Sequence, residues 1–233
     1  YDRTVIICQQ AARLRWQQLY VHRGLAGSGN SVAFAPHEYG LRLACASSDE
    51  SICVLTRRDD DTWEEARVPK AHKTGCNAVS WAPPYAAGAA AAAAAGSLEP
   101  MRLASGGCDN MVKMWRFADE RAEWVEEEPP LPQVHADWVR DVSWSPSVGA
   151  SESLVASCSQ DKKVVIWSCN KTGEWVQREI LFSCAVWRVS WSLTGNILAV
   201  SGGDNLVTLW KQSLTGSWEQ LGQLSDEGGP VLG

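Results

Sequence analysis

An all-β chain built from repeated four-stranded sheets is expected here, on three grounds. An aspartate recurs at Asp2, Asp49, Asp109, Asp161 and Asp204, at intervals of 47, 60, 52 and 43 residues. A tryptophan recurs at Trp16, Trp63, Trp124, Trp175 and Trp218, at intervals of 47, 61, 51 and 43. The two series agree within one residue, so the unit is a true repeat whose length varies in its other loops. Aromatic usage is lopsided, with 13 Trp against 3 Phe and 4 Tyr, as though certain positions demanded indole in every unit. Between these markers lie short β-branched runs punctuated by Gly, Asp-Asn and Ser-Pro turns, a strand pattern and not a helical one. A period of this length carrying four strands is that of a β-propeller blade.

The strands come in the same order each time. The first reads SVAFAP from Ser31, AVSWAP from Ala78, DVSWSP from Asp141 and RVSWSL from Arg188. A small-residue second strand ends on the aspartate: LACASSD, LASGGCD, VASCSQD and LAVSGGD. The third follows it: DRTVIIC, DESICVL, DNMVKMW, DKKVVIW and DNLVTLW, and the marker tryptophan opens the fourth. The units are expected as a partial blade at 1–22 and complete blades at 30–68, 77–134, 139–183 and 187–224, within one domain. The chain opens inside a blade, at Tyr1 and without Met, as part of a longer protein would. Four and a half blades leave sheet edges and faces that something must cover. Residues 84–100, PYAAGAAAAAAAGSLEP, read as a low-complexity surface loop, because seven alanines between Gly88 and Gly96 are too few for an independent helix. The run Glu126 to Pro130 reads as a solvated connection between blades. The tail SDEGGPVLG cannot form another blade.

Composition excludes several functions. The net charge is −6, and no basic stretch stands clear of acids, so a nucleic-acid surface is not expected. No apolar run approaches the roughly 18 residues of a membrane span. The eight cysteines (8, 45, 53, 76, 108, 158, 169, 184) include no pair at two-residue spacing. They read as small buried hydrophobes in a reduced compartment, with neither a disulfide framework nor a metal. Two constellations resemble catalytic triads: His72, Ser105 and Asp109, ending on Trp115, and His135, Ser157 and Asp161, ending on Trp167. A catalytic site occurs once, whereas this set occurs in consecutive units and ends each time on an indole. The expected role is a buried hydrogen-bond chain running from Asp to His to Ser to the Trp N–H. There is no Gly-rich phosphate loop leading to Lys-Ser/Thr and no His-Glu-x-x-His. No catalytic, cofactor-binding or metal-binding residue is expected, and no cofactor.

These residues resemble the WD-repeat family. The full tetrad stands only in the two units just named. The second unit has Cys45 and Leu55 at the Ser and Trp positions, and the last has Val200 and no His. The phrases YDRTVII, FAPHEYGLRLACASSDESI, AHKTGCNAVSWAP, ASGGCDNMVKMW, HADWVRDVSWSPS, ASCSQDKKVVIW and VSWSLTGNILAVSGGDNLVTLWKQS are similar to the sec-thirteen branch of that family. Departures are Cys8 where that branch has Trp, Leu25 where a His is usual, and the alanine-rich loop. The resemblance implies a six-bladed open propeller that a partner closes by inserting a seventh blade. It implies a non-enzymatic scaffold of the COPII vesicle coat, in ER-to-Golgi transport, and of the nuclear pore outer ring. The implied partner is a sec-thirty-one-type coat subunit or a nuclear-pore solenoid protein that donates the blade, with no direct nucleic-acid contact. The implied location is cytoplasmic, at the cytosolic face of the endoplasmic reticulum and on COPII vesicles, and at the nuclear pore; the membrane is met only peripherally, through the coat. Partner binding is expected on the flank of blade 187–224, with individual residues unassigned. The alternative is a peptide-binding adaptor, such as a seh-one-type nuclear-pore or iron–sulfur-assembly propeller. Its candidates are Lys73, Trp138 and Arg140, although the last two suit inter-blade packing better.

Overall fold

The computed structural model describes residues 2–13, 15–85, 98–146, 152–170, 173–225 and 231–232. Strands β1 (Val5–Ala12) and β2 (Arg15–His22) form a two-stranded sheet. The second sheet holds β3 (Gly29–Phe34), β4 (Arg42–Ser47), β5 (Ile52–Arg57) and β6 (Trp63–Val68). The third holds β7 (Cys76–Trp81), β8 (Arg102–Gly107), β9 (Val112–Ala118) and β10 (Glu123–Glu126). The fourth holds β11 (Val139–Trp144), β12 (Ser153–Ser159), β13 (Lys163–Cys169) and β14 (Trp175–Leu181). The last holds β15 (Val186–Trp191), β16 (Ile197–Gly202), β17 (Leu206–Gln212), β18 (Trp218–Ser225) and β19 (Val231–Leu232). Every pairing is antiparallel between neighbours in sequence, and no sheet closes on itself: this is a WD-repeat type of β-propeller, and it is open. Helix among the described residues is limited to one 3-10 turn, His37–Tyr39. The tail contributes more than a bare end, since β19 adds a fifth strand to the last sheet. Most of the alanine-rich insertion, residues 86–97, lies outside the described residues.

The aspartate turns explain the sequence repeat. In all five units the carboxylate accepts the backbone N–H two residues on: Thr4 at 3.1 Å from Asp2, Ser51 at 3.1 Å from Asp49, Met111 at 3.2 Å from Asp109, Lys163 at 3.0 Å from Asp161 and Leu206 at 3.2 Å from Asp204. The residue between is left-handed each time, with φ of 60° at Arg3, 74° at Glu50, 65° at Asn110, 70° at Lys162 and 60° at Asn205. A short acceptor that can hold such a turn closed is what Asp supplies.

Consecutive sheets meet through apolar clusters, such as Ile52 and Val54 of the second against Val79, Trp81 and Leu103 of the third. The first strand of each complete sheet carries a bulge after its first residue, between Gly29 and Ser31, Cys76 and Ala78, Val139 and Asp141, and Val186 and Arg188. The displaced residues Asn30, Asn77, Arg140 and Trp187 line one cavity of about 480 Å³. Two of them stitch sheet to sheet: Asn30 Nδ2 donates to Cys76 O at 2.8 Å and Asn77 Nδ2 to Val139 O at 2.9 Å.

The demand for indole has a geometric cause. First- and fourth-strand tryptophans of one sheet meet edge to face over the two strands between them, with centroids 5.7 Å apart for Trp81–Trp124, 6.0 Å for Trp144–Trp175 and 5.7 Å for Trp191–Trp218. Only a long, flat side chain closes that span. Trp81 and Trp191 also donate Nε1 to Ala33 O and Ser143 O of the preceding sheet, each at 2.9 Å. Two expectations need correction. Glu127 is not a solvated linker residue: Arg102 grips it at 2.5 and 2.7 Å, and the same guanidinium lies 5.0 Å from the Trp144 ring centre. Cys8 is exposed, not a buried hydrophobe, whereas Cys45, Cys53, Cys76 and Cys158 are buried.

Candidate functional site

Both tetrads come together as hydrogen-bonded chains. His72 Nδ1 lies 2.8 Å from Asp109 Oδ1, His72 Nε2 lies 2.7 Å from Ser105 Oγ, and Trp115 Nε1 donates to Ser105 Oγ at 2.8 Å. In the next sheet His135 Nδ1 lies 3.1 Å from Asp161 Oδ2 and His135 Nε2 lies 2.8 Å from Ser157 Oγ, with Trp167 Nε1 donating to that serine at 3.0 Å. One proton arrangement satisfies every atom. The indole can only donate, so the serine oxygen accepts it and sends its own proton to Nε2; the imidazole then donates from Nδ1 to the carboxylate. Burial works to raise the Asp109 and Asp161 carboxyls, but the bonds from His72 and His135 and from nearby backbone N–H groups hold both below the usual carboxylate value. Ser105 and Ser157 are 0% exposed. With its oxygen engaged on both sides and no route to solvent, neither serine is placed to act as a nucleophile.

The departures from the tetrad are concerted. Leu25 stands four residues before β3, where His72 and His135 stand relative to β7 and β11, and it packs with Cys45 and Leu55 in one buried cluster. Asp49 keeps its turn and still accepts Ala26 N–H at 2.8 Å. In the last sheet the same offset falls on Phe182, which meets Trp210 edge to face at 5.6 Å. Spacing from the aspartates does not reveal Phe182, because the loop between the first and second strands varies in length. Counting back from the strand would have found it.

Interior sheets offer an apolar flank that the following sheet covers: Ala44, Ala46, Ile52 and Val54 in the second, and Ala156, Cys158, Val164 and Ile166 in the fourth, are all buried. The matching positions of the last sheet, Ala199, Val207 and Leu209, are only half-buried, and Leu224 is 45% exposed. The opposite flank shows the same contrast. Val32 and Phe34 of β3 are 57% and 56% exposed, while their counterparts Val79 and Trp81 are 4% and 7% exposed. Of the peptide-reading candidates only Arg140 is committed to packing between sheets; the Lys73 side chain is exposed, and Trp138 is 44% exposed. Arg140 sits between Trp138 and Trp187, 5.0 and 4.9 Å from their ring centres, joining two sheets, and Lys73 gives its backbone N–H to Asp109.

The family described as WD domain, G-beta repeat matches residues 63–116, 131–168 and 178–211. The chain is 48% identical over 208 residues to the Protein SEC13 homolog of Drosophila melanogaster, covering 87% of this chain and 57% of that protein. It is 43% identical over 214 residues to the Protein transport protein SEC13 of Mycosarcoma maydis, covering 81% and 58%. It is 41% identical over 213 residues to the Protein transport protein sec13 of Aspergillus clavatus, covering 87% and 70%. The chain thus spans less than three fifths of the first two relatives. Repeated aspartate turns, two complete His–Ser–Asp–Trp chains and these matches together place the chain in the WD-repeat family, among proteins of the Sec13 type.

Proposed function

We propose that this chain is a non-enzymatic structural element of a protein-transport scaffold, and that it accepts a β-blade from a partner protein on the flank of its last sheet. One observation carries the reading: Ala199, Val207, Leu209 and Leu224 leave in water an apolar surface that the interior sheets bury. Covering it gains the hydrophobic free energy that holds the other sheets together, and an added blade brings its own backbone pairing. The tetrads, sealed from solvent, support a structural role over a catalytic one. Relatives named as protein transport proteins support the transport setting. The partner on this reading is a sec-thirty-one-type coat subunit or a nuclear-pore solenoid protein. The sites of action are the COPII coat, on the cytosolic face of the endoplasmic reticulum, and the outer ring of the nuclear pore.

Co-purification with the coat subunit's N-terminal region tests this. Leu209→Asp and Leu224→Asp should each abolish capture, while Leu98→Asp, at the edge of the alanine-rich insertion, should leave it unchanged. Capture that survives both flank variants overturns the reading.

A further inference from the structure

Where β2 meets the second sheet, three potential metal ligands converge. His22 ends β2, Cys53 lies in β5 and Glu65 in β6. His22 Nε2 is 3.8 Å from Cys53 Sγ and 3.8 Å from Glu65 Oε2, and the three ligand atoms all lie within 4.8 Å of one another. Among the described residues no other group of three His, Cys, Asp or Glu side chains meets so closely. We propose that His22, Cys53 and Glu65 bind a single zinc ion, with water as the fourth ligand, and that the ion clips the two-stranded sheet to its neighbour.

Ligand atoms around tetrahedral zinc stand about 3.3–3.7 Å apart, given bonds of about 2.0–2.3 Å. The observed separations close to that with side-chain movements under about 1 Å. The carboxylate is already divided for the task. Arg67 holds Glu65 Oε1 at 2.7 Å through Nε, while Oε2 is the oxygen that faces His22. Arg67 also donates to Gly24 O at 2.7 Å, so an outer partner fixes the ligand, as metal sites require. The ligands pack closely against Gly24: a Cβ there would stand 2.6 Å from His22 Cε1, 2.9 Å from His22 Nε2 and 3.1 Å from Glu65 Oε2, so a side chain at this position would crowd the ligand atoms. The donor set of one imidazole, one thiolate and one carboxylate suits zinc. On binding, Cys53 loses its proton to solvent, and one thiolate and one carboxylate then balance the dication. No sequence spacing announces the site, because each ligand comes from a different strand.

Cobalt(II) serves as the probe, titrated into the purified chain under reducing conditions. One equivalent should bind with a thiolate-to-cobalt charge-transfer absorption, and zinc should displace it. Cys53→Ala should abolish the band and Cys8→Ser should leave it. Glu65→Gln, on the partly exposed strand, should weaken binding at least as much as Arg67→Ala, which should weaken it about tenfold. If Cys53→Ala does not fold, His22→Gln and Glu65→Gln decide the matter by the same band. Absence of the band in the unmodified chain, its persistence in Cys53→Ala, or undiminished affinity in Glu65→Gln overturns the site.

Discussion

Replacing the turn aspartates one at a time separates the networked units from the rest. Asp109→Ala removes acceptors for His72 Nδ1 at 2.8 Å, Lys73 N–H at 2.9 Å and Met111 N–H at 3.2 Å. His72 is fully buried, so its N–H finds no water in exchange. Hydrogen bonds to a charged group contribute about 1.5–3 kcal/mol, and an unpaired buried donor costs about 1–3 kcal/mol. Because the two figures overlap, we expect a loss of about 2–4 kcal/mol. For a domain of this size that is a fall in melting temperature of roughly 6–12 °C. Asp161→Ala removes the equivalent set, from His135, Ala136 and Lys163, and should lose as much. Among the side chain's bonds given above, Asp204 keeps only that from Leu206, at 3.2 Å in an exposed turn, so Asp204→Ala should cost about 0.5–1 kcal/mol. Thermal unfolding of the three variants, read by tryptophan fluorescence, makes the comparison. Equal losses at 109, 161 and 204 would refute the claim that the buried imidazole sets the cost.

Two further outcomes are expected. Leu25→His alone should destabilise the chain by about 1–3 kcal/mol in urea unfolding, since Asp49 can take the Nδ1 proton but Cys45 and Leu55 offer no serine or indole to complete the chain; the triple change Leu25→His, Cys45→Ser, Leu55→Trp should recover part of the loss, and strict additivity of the three single effects would count against this. Burial raises the Asp141 carboxyl to about 6, against opposing bonds from Val189 and Val142 N–H. A folded value above the unfolded one means that the protonated acid favours folding, so its contribution is full below about pH 4 and lost as pH rises through about 6, on the order of 3 kcal/mol. Asp49, held down to about 2 by Ser51 and Ala26 against its burial, adds stability that is lost only as pH falls below about 3.8, outside that window. Parallel urea midpoints for the unmodified chain and Asp141→Asn between pH 4 and 6 would exclude Asp141 as the source.

How much could be read from sequence followed the range of the interactions. The aspartate turns were legible because both the Asx bond and the left-handed residue fall within three positions of each other. The His–Ser–Asp–Trp sets were legible because the unit repeats them, although bonded members lie as far apart as 37 residues, from His72 to Asp109. What escaped depends on contacts between sheets that no period encodes. Arg102 reaches over Trp144 while gripping Glu127; Arg140, by contrast, was expected in packing between blades and lies between two indoles. Phe182 escaped for another reason: its place is set by distance to the first strand and not to the aspartate. For the flank of blade 187–224 the sequence named no residues, and which of them are exposed comes only from the contrast between the last sheet and the others.

The all-apolar set at Leu25, Cys45 and Leu55 has a consequence for how such a chain can change over time. A lone polar substitution there buries a group with no mate, and a lone apolar one at 72, 105 or 115 orphans the mates that remain. The two solutions are therefore separate peaks with a valley between them, and single steps lead downhill from either. A unit that has once crossed is held on its side by the physics of unpaired groups, with no need for any advantage of one peak over the other.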